Sequence, residues 1–197
     1  MHHVIGITGQ PGSGKDTVAD YLAQNGFKHI SLGDTIREIM TELGFSLDRP
    51  TMHKYTKDLF LAGGTRVITS KVIDQITGHA VVSGFRNRLQ IEHFKEVFGN
   101  LFLFVCVDAP IELRYSRVSS RQREGDRVTF EEFKIQEDHE RSNDVGSHEV
   151  DRIIEIADLS IENSGTREEL LAQLNALVPL QNENFNIPAL DGDIIHI

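Results

Sequence analysis

GITGQPGSGKDTVA, residues 6–19, contains the spacing G-x-x-x-x-G-K from Gly9 to Lys15. The apolar run HVIGIT (3–8) leads into it, and the amphipathic stretch KDTVADYLAQN follows. A buried strand that turns through glycines into a helix is the setting of a phosphate-binding loop. Gly9, Gly12 and Gly14 let the backbone curl so that successive N–H groups face one anion. The helix N-terminus adds a partial positive charge at the same point. Lys15 brings a full charge to the β- and γ-phosphates, and Thr17 stands where a hydroxyl meets the α-phosphate. Pro11 and Ser13 complete the loop.

One residue departs from the pattern. A Ser or Thr after the lysine would reach magnesium, but this chain has Asp16. A carboxylate beside bare phosphates is repulsive. It becomes favourable with Mg²⁺ between them, because hard cations take oxygen anions. In P-loop enzymes a second carboxylate, at the end of a neighbouring strand, helps to hold that metal. The corresponding strand here, AVVSGFR, ends in Ser83 and not in Asp. Two readings stay open. In one, Asp16 and Ser83 exchange roles, with Asp16 supplying charge near the metal and Ser83 a neutral oxygen. In the other, Asp16 only favours the first turn of its helix through the dipole, and Ser83 is incidental.

The chain of 197 residues suits one domain, expected at 1–178, with small inserts and a tail at 179–197. Such a length buries roughly 70% of the unfolded surface without help from disulfides. The single cysteine, Cys106, allows no intrachain disulfide and sits in an apolar strand as a core residue. A reducing, cytoplasmic setting is expected. No apolar run approaches the ~20 residues that span a membrane, and the N-terminus reads as a strand, not a signal peptide. The formal net charge of -10 argues against a broad nucleic-acid surface. The nine histidines form no H-x-x-x-H or H-E-x-x-H pair, so zinc is not expected.

Apolar runs alternate with helical patterns along the chain. FKHISL (27–32), HAVVSGF (79–85), LFLFVCVD (101–108) and ADLSIEN (157–163) read as further strands. Between them, DTIREIMTELG reads as a helix closed by Gly44, and residues 49–77 as helical with a break at AGG (62–64). LQIEHFKEVFG and APIELRYSRVSS follow the third and fourth strands. Thr129 with Glu132, and Thr166 with Glu169, have capping-box spacing. The acidic face EEFKIQEDHE (131–140) is expected to be solvated, and Asp108 to cap the helix after DAP. Strands separated by helices imply an α/β, doubly wound parallel sheet of about five strands, covered on both faces. The end of the tail, DGDIIHI, reads as an edge strand or as a contact with a partner chain, which would make a homo-oligomer.

HISLGDTIREI (29–39) closely resembles the I-S-x-G-D-x-x-R segment of adenylate-kinase-like nucleoside monophosphate kinases. That resemblance gives Arg37 the acceptor's phosphate. VVSGFRNRLQIEHF (81–94) is similar to the family's D-G-x-R segment, with Asp replaced by Ser83, and gives Arg86 the same duty. VDAPIELRYSRVSSRQREGD, TFEEF and EVDRIIEIADLSIENSGTREEL resemble dephospho-CoA kinase and its archaeal relatives. From these follow a helical acceptor insert at 35–77 and an arginine-bearing lid at 117–128. The loop Asn163, Ser164 and Gly165 is implied to lie near the adenine of ATP.

The implied reaction moves the γ-phosphoryl group of ATP, with Mg²⁺, to a small acceptor. Phosphoryl transfer needs charge neutralised around the equatorial oxygens more than it needs covalent help. Guanidinium groups fork onto such oxygens and stay charged. Of Arg117, Arg121, Arg123 and Arg127, the first two are favoured as catalytic, in a loop that closes over ATP and excludes water. Asp34 has two readings, as N-cap of a helix starting at Thr35 or as general base for a hydroxyl acceptor. Arg37 and Arg86 together favour a nucleoside or deoxynucleoside monophosphate. The C-terminal half favours dephospho-CoA. An ATP-hydrolysing switch or assembly factor is the alternative outside the kinases.

Overall fold

The computed structural model describes residues 2–120, 129–141 and 150–177. β1 (Val4–Thr8) leads through the glycine loop into α1 (Lys15–Gln24). β2 (Lys28–Ser31), α2 (Leu32–Glu42), α3 (Arg49–Leu61) and α4 (Thr65–Ile73) precede β3 (Ala80–Ser83). Then come α5 (Arg88–Phe98), a 3₁₀ turn at Gly99–Leu101 and β4 (Phe102–Asp108). α6 (Ile111–Ser120), α7 (Phe130–Arg141), α8 (Val150–Glu155), β5 (Leu159–Glu162) and α9 (Arg167–Leu177) complete it.

The five strands form one parallel sheet in the order β2-β3-β1-β4-β5. β1 is central, with all five residues buried and Val4 on one face and Ile5 and Ile7 on the other. Ile5 and Ile7 pack with Val81, Val105 and Val107 against Val18 and Leu22 of α1 and Leu170 and Leu174 of α9. Val4 packs on the other face with Val82, Phe102, Phe104 and Cys106, against Ile68 and Val72 of α4, Ile91 and Phe94 of α5 and Ile153 of α8. The two-residue side-chain period of a strand divides the core in this way. Gly6 lies between β3 and β4 on the second face. A Cβ there would stand 2.7 Å from the ring of Phe102, so the aromatic packing requires glycine. The expected doubly wound sheet is therefore present, with every C-terminal strand end on the side of the glycine loop.

The expected helix signals at Gly44, Thr129 and Thr166 are all present. Gly44 donates to Thr41 O while Phe45 reaches back to Met40 O. Thr129 and Glu132 exchange reciprocal hydrogen bonds, as do Thr166 and Glu169. A third capping box, Asn87 with Gln90, opens α5. Three expectations are corrected. α2 starts at Leu32, and its N-cap is Ser31, whose Oγ accepts the Asp34 N–H at 3.2 Å. Asp34 thus lies inside the first turn and does not cap. Asp108 accepts the Ala109 N–H at 2.8 Å. The first bond of α6 runs from Arg114 N–H to Pro110 O, so Asp108 is a strand end and no cap. Finally, α7 is not solvated throughout, because Glu137 is 3% exposed and paired with buried Arg114. A short helix, α8, also precedes β5 where none was expected.

Arg121, Arg123 and Arg127, with most of the expected lid, lie outside the described residues, as does the tail 179–197. Among the described residues no helix is long and apolar enough to cross a membrane.

Candidate functional site

The loop between β1 and α1 is packed from behind by backbone. Gly12 has φ 79° and Gly14 φ 100°, a region open to glycine and strained for other residues. A Cβ on Gly12 would stand 2.5 Å from Arg114 O, and one on Gly14 would stand 2.2 Å from Asn163 Nδ2. Only glycine satisfies both the turn and the close approach. Ser13 donates its N–H to Gln10 O at 3.1 Å, which closes the turn. Its side chain is fully buried. Pro11 and Thr17 are half-buried at the mouth.

Lys15 and Asp16 start α1. Lys15 Nζ lies 3.9 Å from Asp16 Oδ1, with the lysine side chain largely covered and the Asp16 side chain 56% exposed. The exposed carboxylate stands beside the amino group that would meet a phosphate. Ser83 ends β3 in register with Ile7, two residues before Gly9. It is buried, and its Oγ shares a hydrogen bond of 2.9 Å with His29 Nε2. Sequence reading missed His29. β2 and β3 pair Ser31 with Ser83, so His29 is on the same face and one diagonal step away.

The donor set fits Mg²⁺. Asp16 offers an exposed carboxylate and Ser83 a hydroxyl. Thr8 Oγ1 and Ser13 Oγ are buried oxygens with no hydrogen-bond partner among the described residues. All are oxygen donors, as a hard cation requires. Among the described residues no group of three His, Cys, Asp or Glu side chains is placed to hold a metal ion. An ion here would therefore complete its shell with phosphate oxygens and water.

Arg37 and Arg86 stand on neighbouring segments. Arg37 Nη1 bonds Asp34 Oδ1 at 2.6 Å, with both groups mostly exposed. Arg86 is half-buried, and its main-chain N–H donates to Gln90 Oε1 at 2.7 Å. The two segments meet where Gly84 faces Leu32 and Gly33; a Cβ on Gly84 would stand 3.4 Å from Gly33 N. The geometry thus brings the start of α2 and the end of β3 together beside the glycine loop.

Arg117, near the end of α6, reaches the loop. Its Nη2 donates to Asn163 O at 3.0 Å and to Asn163 Oδ1 at 3.3 Å, and its Nη1 to Gly12 O at 3.4 Å. Asn163 Nδ2 donates to Ser13 O at 2.8 Å. Ser164 and Gly165 are exposed beyond it. Behind these groups, Arg114 Nε donates to Ala109 O at 2.7 Å, and its guanidinium grips Glu137 with both Nη groups. Neither Arg114 nor Glu137 stands out in the sequence. Cys106, expected in the core, is buried there, and burial pushes its thiol up to about 12.

A family model described as an AAA domain matches residues 8–134, more than half of the chain. A UPF0200 protein of Methanosarcina mazei is 31% identical over 172 residues, covering 85% of this chain and 89% of that one. The chain belongs to the UPF0200 family. A UPF0200/UPF0201 protein of Archaeoglobus fulgidus is 30% identical over 190 residues. The UPF0200 chain described above spans 57% of the length of that relative. Among solved structures, the shikimate kinase from Aquifex aeolicus is similar in fold, with TM-score 0.53 and 17% identity over 88% of this chain and 94% of that one. The UPF0200 chain therefore has the P-loop kinase-like fold that its segments resemble.

Proposed function

We propose that the protein is an ATP- and Mg²⁺-dependent phosphotransferase acting on a small nucleotide, with a nucleoside or deoxynucleoside monophosphate as the favoured acceptor. One observation carries this reading. The segments bearing Arg37 and Arg86 meet at Gly33 and Gly84, and Ser83 stands in register with Ile7 of the strand that enters the glycine loop, which supports an anionic acceptor held by the two arginines next to the ATP phosphates. Two arginines suit a phosphate, which they bind in forked, charge-assisted pairs.

In this reading an acceptor oxygen forms a bond to the γ-phosphorus while the bond to the β,γ-bridging oxygen breaks, and ADP leaves. Lys15 neutralises charge on the β- and γ-phosphates, and the loop amides hold the remaining oxygens. Asp16 and Ser83 would hold Mg²⁺, which supplies further charge neutralisation. Arg117 and Arg121 are assigned to ATP, Arg121 on the expected lid. The family resemblance would place the loop of Asn163 and Gly165 beside the nucleotide.

A second reading has its own support. Asp34 is released from capping by Ser31 and exposes its carboxylate beside Arg37. A carboxylate there would accept the proton of a hydroxyl acceptor such as the ribose of dephospho-CoA. A phosphate acceptor is already ionised and needs no such base.

A coupled ADP-release assay across nucleoside and deoxynucleoside monophosphates and dephospho-CoA separates these readings. Acceptor-dependent ADP release is expected. Release at the full rate without any acceptor would overturn the kinase reading in favour of an ATP-hydrolysing switch.

A further inference from the structure

Asn163 follows β5 and is turned inward, 5% exposed. Its main-chain N–H donates to Asp108 O at 2.7 Å, which fixes the residue on the neighbouring strand end. The side-chain amide is used in both directions, its NH₂ donating and its carbonyl oxygen accepting. Nδ2 donates to Ser13 O, and Oδ1 accepts from Arg117. Gly14 makes room for this, since any Cβ there would collide with Nδ2.

A trans peptide points its N–H away from its C=O. A hydrogen bond to Ser13 O therefore polarises the peptide whose N–H belongs to Gly14, the residue at the start of α1. Arg117 does the same through Gly12 O for the Ser13 amide that closes the turn. Both contacts are made to carbonyls of the loop, so each acts on a loop peptide from its C=O side.

We propose that Asn163 is a positioning residue that couples the glycine loop to Arg117, so that nucleotide affinity depends on the two as a unit. The inference rests on the ATP-binding reading of the loop. It departs from the adenine contact implied by family resemblance, because the amide is spent on Ser13 and Arg117.

A double-mutant cycle on the full chain tests it, with Asn163→Ala, Arg117→Ala and the double variant, read by calorimetric titration with Mg·ATP. Each single variant is expected to bind about tenfold more weakly, and the double variant about as weakly as either single one, as for residues sharing one network. Additive losses would overturn the coupling, because a purely structural Asn163 would lower thermal stability and leave the effect of Arg117 intact. Should Asn163→Ala not fold, Asn163→Asp keeps the volume and the acceptor for Arg117 but loses the donor to Ser13. It is expected to weaken Mg·ATP binding, and wild-type affinity in it would overturn the proposal. If the unmutated chain binds no Mg·ATP, the phosphotransferase reading falls and this coupling with it. If it binds and the losses add, only the coupling falls.

Discussion

His29 Nε2 and Ser83 Oγ lie 2.9 Å apart across β2 and β3. Ser31, the register partner of Ser83, is already engaged as the cap of α2, so His29 is the group that β2 offers to Ser83. If Ser83 holds Mg²⁺ as proposed, His29 orients that oxygen, and loss of such an orienting partner typically costs about 10–100-fold in metal affinity. His29→Phe is therefore expected to raise the Mg²⁺ concentration for half-maximal ATP turnover by about tenfold. Asp16→Asn is expected to raise it further, by removing the charged donor. An unchanged Mg²⁺ requirement in Asp16→Asn would end the idea that Asp16 and Ser83 exchange roles.

A substitution at the Asp34–Arg37 pair separates the two proposed acceptor classes. Asp34→Asn keeps the shape but neither accepts a proton nor neutralises Arg37. For a hydroxyl acceptor, kcat is expected to fall by about 10²–10⁴, the usual worth of a positioned base. For a phosphate acceptor, kcat is expected to hold while KM falls, because Arg37 is released to the acceptor. Steady-state kinetics on whichever acceptor supports ADP release reads the difference. A loss in thermal stability alone, with both constants unchanged, would remove Asp34 from the site.

The sheet and its loop were legible because strand and helix periods differ and because the glycine spacing admits few alternatives. Cap signals are local, so the residue types and spacing at Gly44, Thr129 and Thr166 suffice to place them. At Asp34 two capping residues competed, and Ser31, three positions earlier, won. What failed depends on register and burial. His29 meets Ser83 only once β2 is paired to β3, and a single sequence does not contain that pairing. Glu137 belongs to a strongly acidic stretch, so its charge suggested solvent. Its burial is set by Arg114, a residue 23 positions away on another helix.

That buried pair supports a stability prediction. Arg114 and Glu137 are 4% and 3% exposed, and Arg114 also binds Ala109 O. Glu137→Gln leaves a buried guanidinium without its counter-charge. Breaking such a pair costs about 3–5 kcal/mol, and the loss is measured by urea unfolding. Because Gly12 packs on the Arg114 backbone, Mg·ATP affinity is expected to fall with it. Replacing both residues by apolar ones of similar volume, Arg114→Met with Glu137→Leu, is expected to recover most of the stability. A Glu137→Gln chain as stable as the wild type would show that α6 and α7 do not depend on the pair.

His93 supplies a pH dependence with a definite sign. It is buried on α5, and its Nδ1 shares a hydrogen bond of 2.6 Å with Thr69 Oγ1 of α4. Burial, with Arg66 adding to it, holds the imidazole below its ordinary 6.5, while Glu96 opposes weakly. Above that value the ring is neutral in both the folded and the unfolded chain, and it contributes no slope. As pH falls below about 6.5 the unfolded chain takes up the proton first, so the unfolded state binds more protons and acid favours unfolding. The melting temperature is therefore expected to drop between pH 7.5 and pH 5.5. His79 shares the direction, also lowered first by burial, so the drop has two sources. His93→Gln removes the titrating group and keeps a side chain able to bond Thr69. Its melting temperature at pH 7.5 is expected to be lower than that of the wild type, and its fall on acidification shallower. An equally steep fall in the variant would assign the acid sensitivity to other groups.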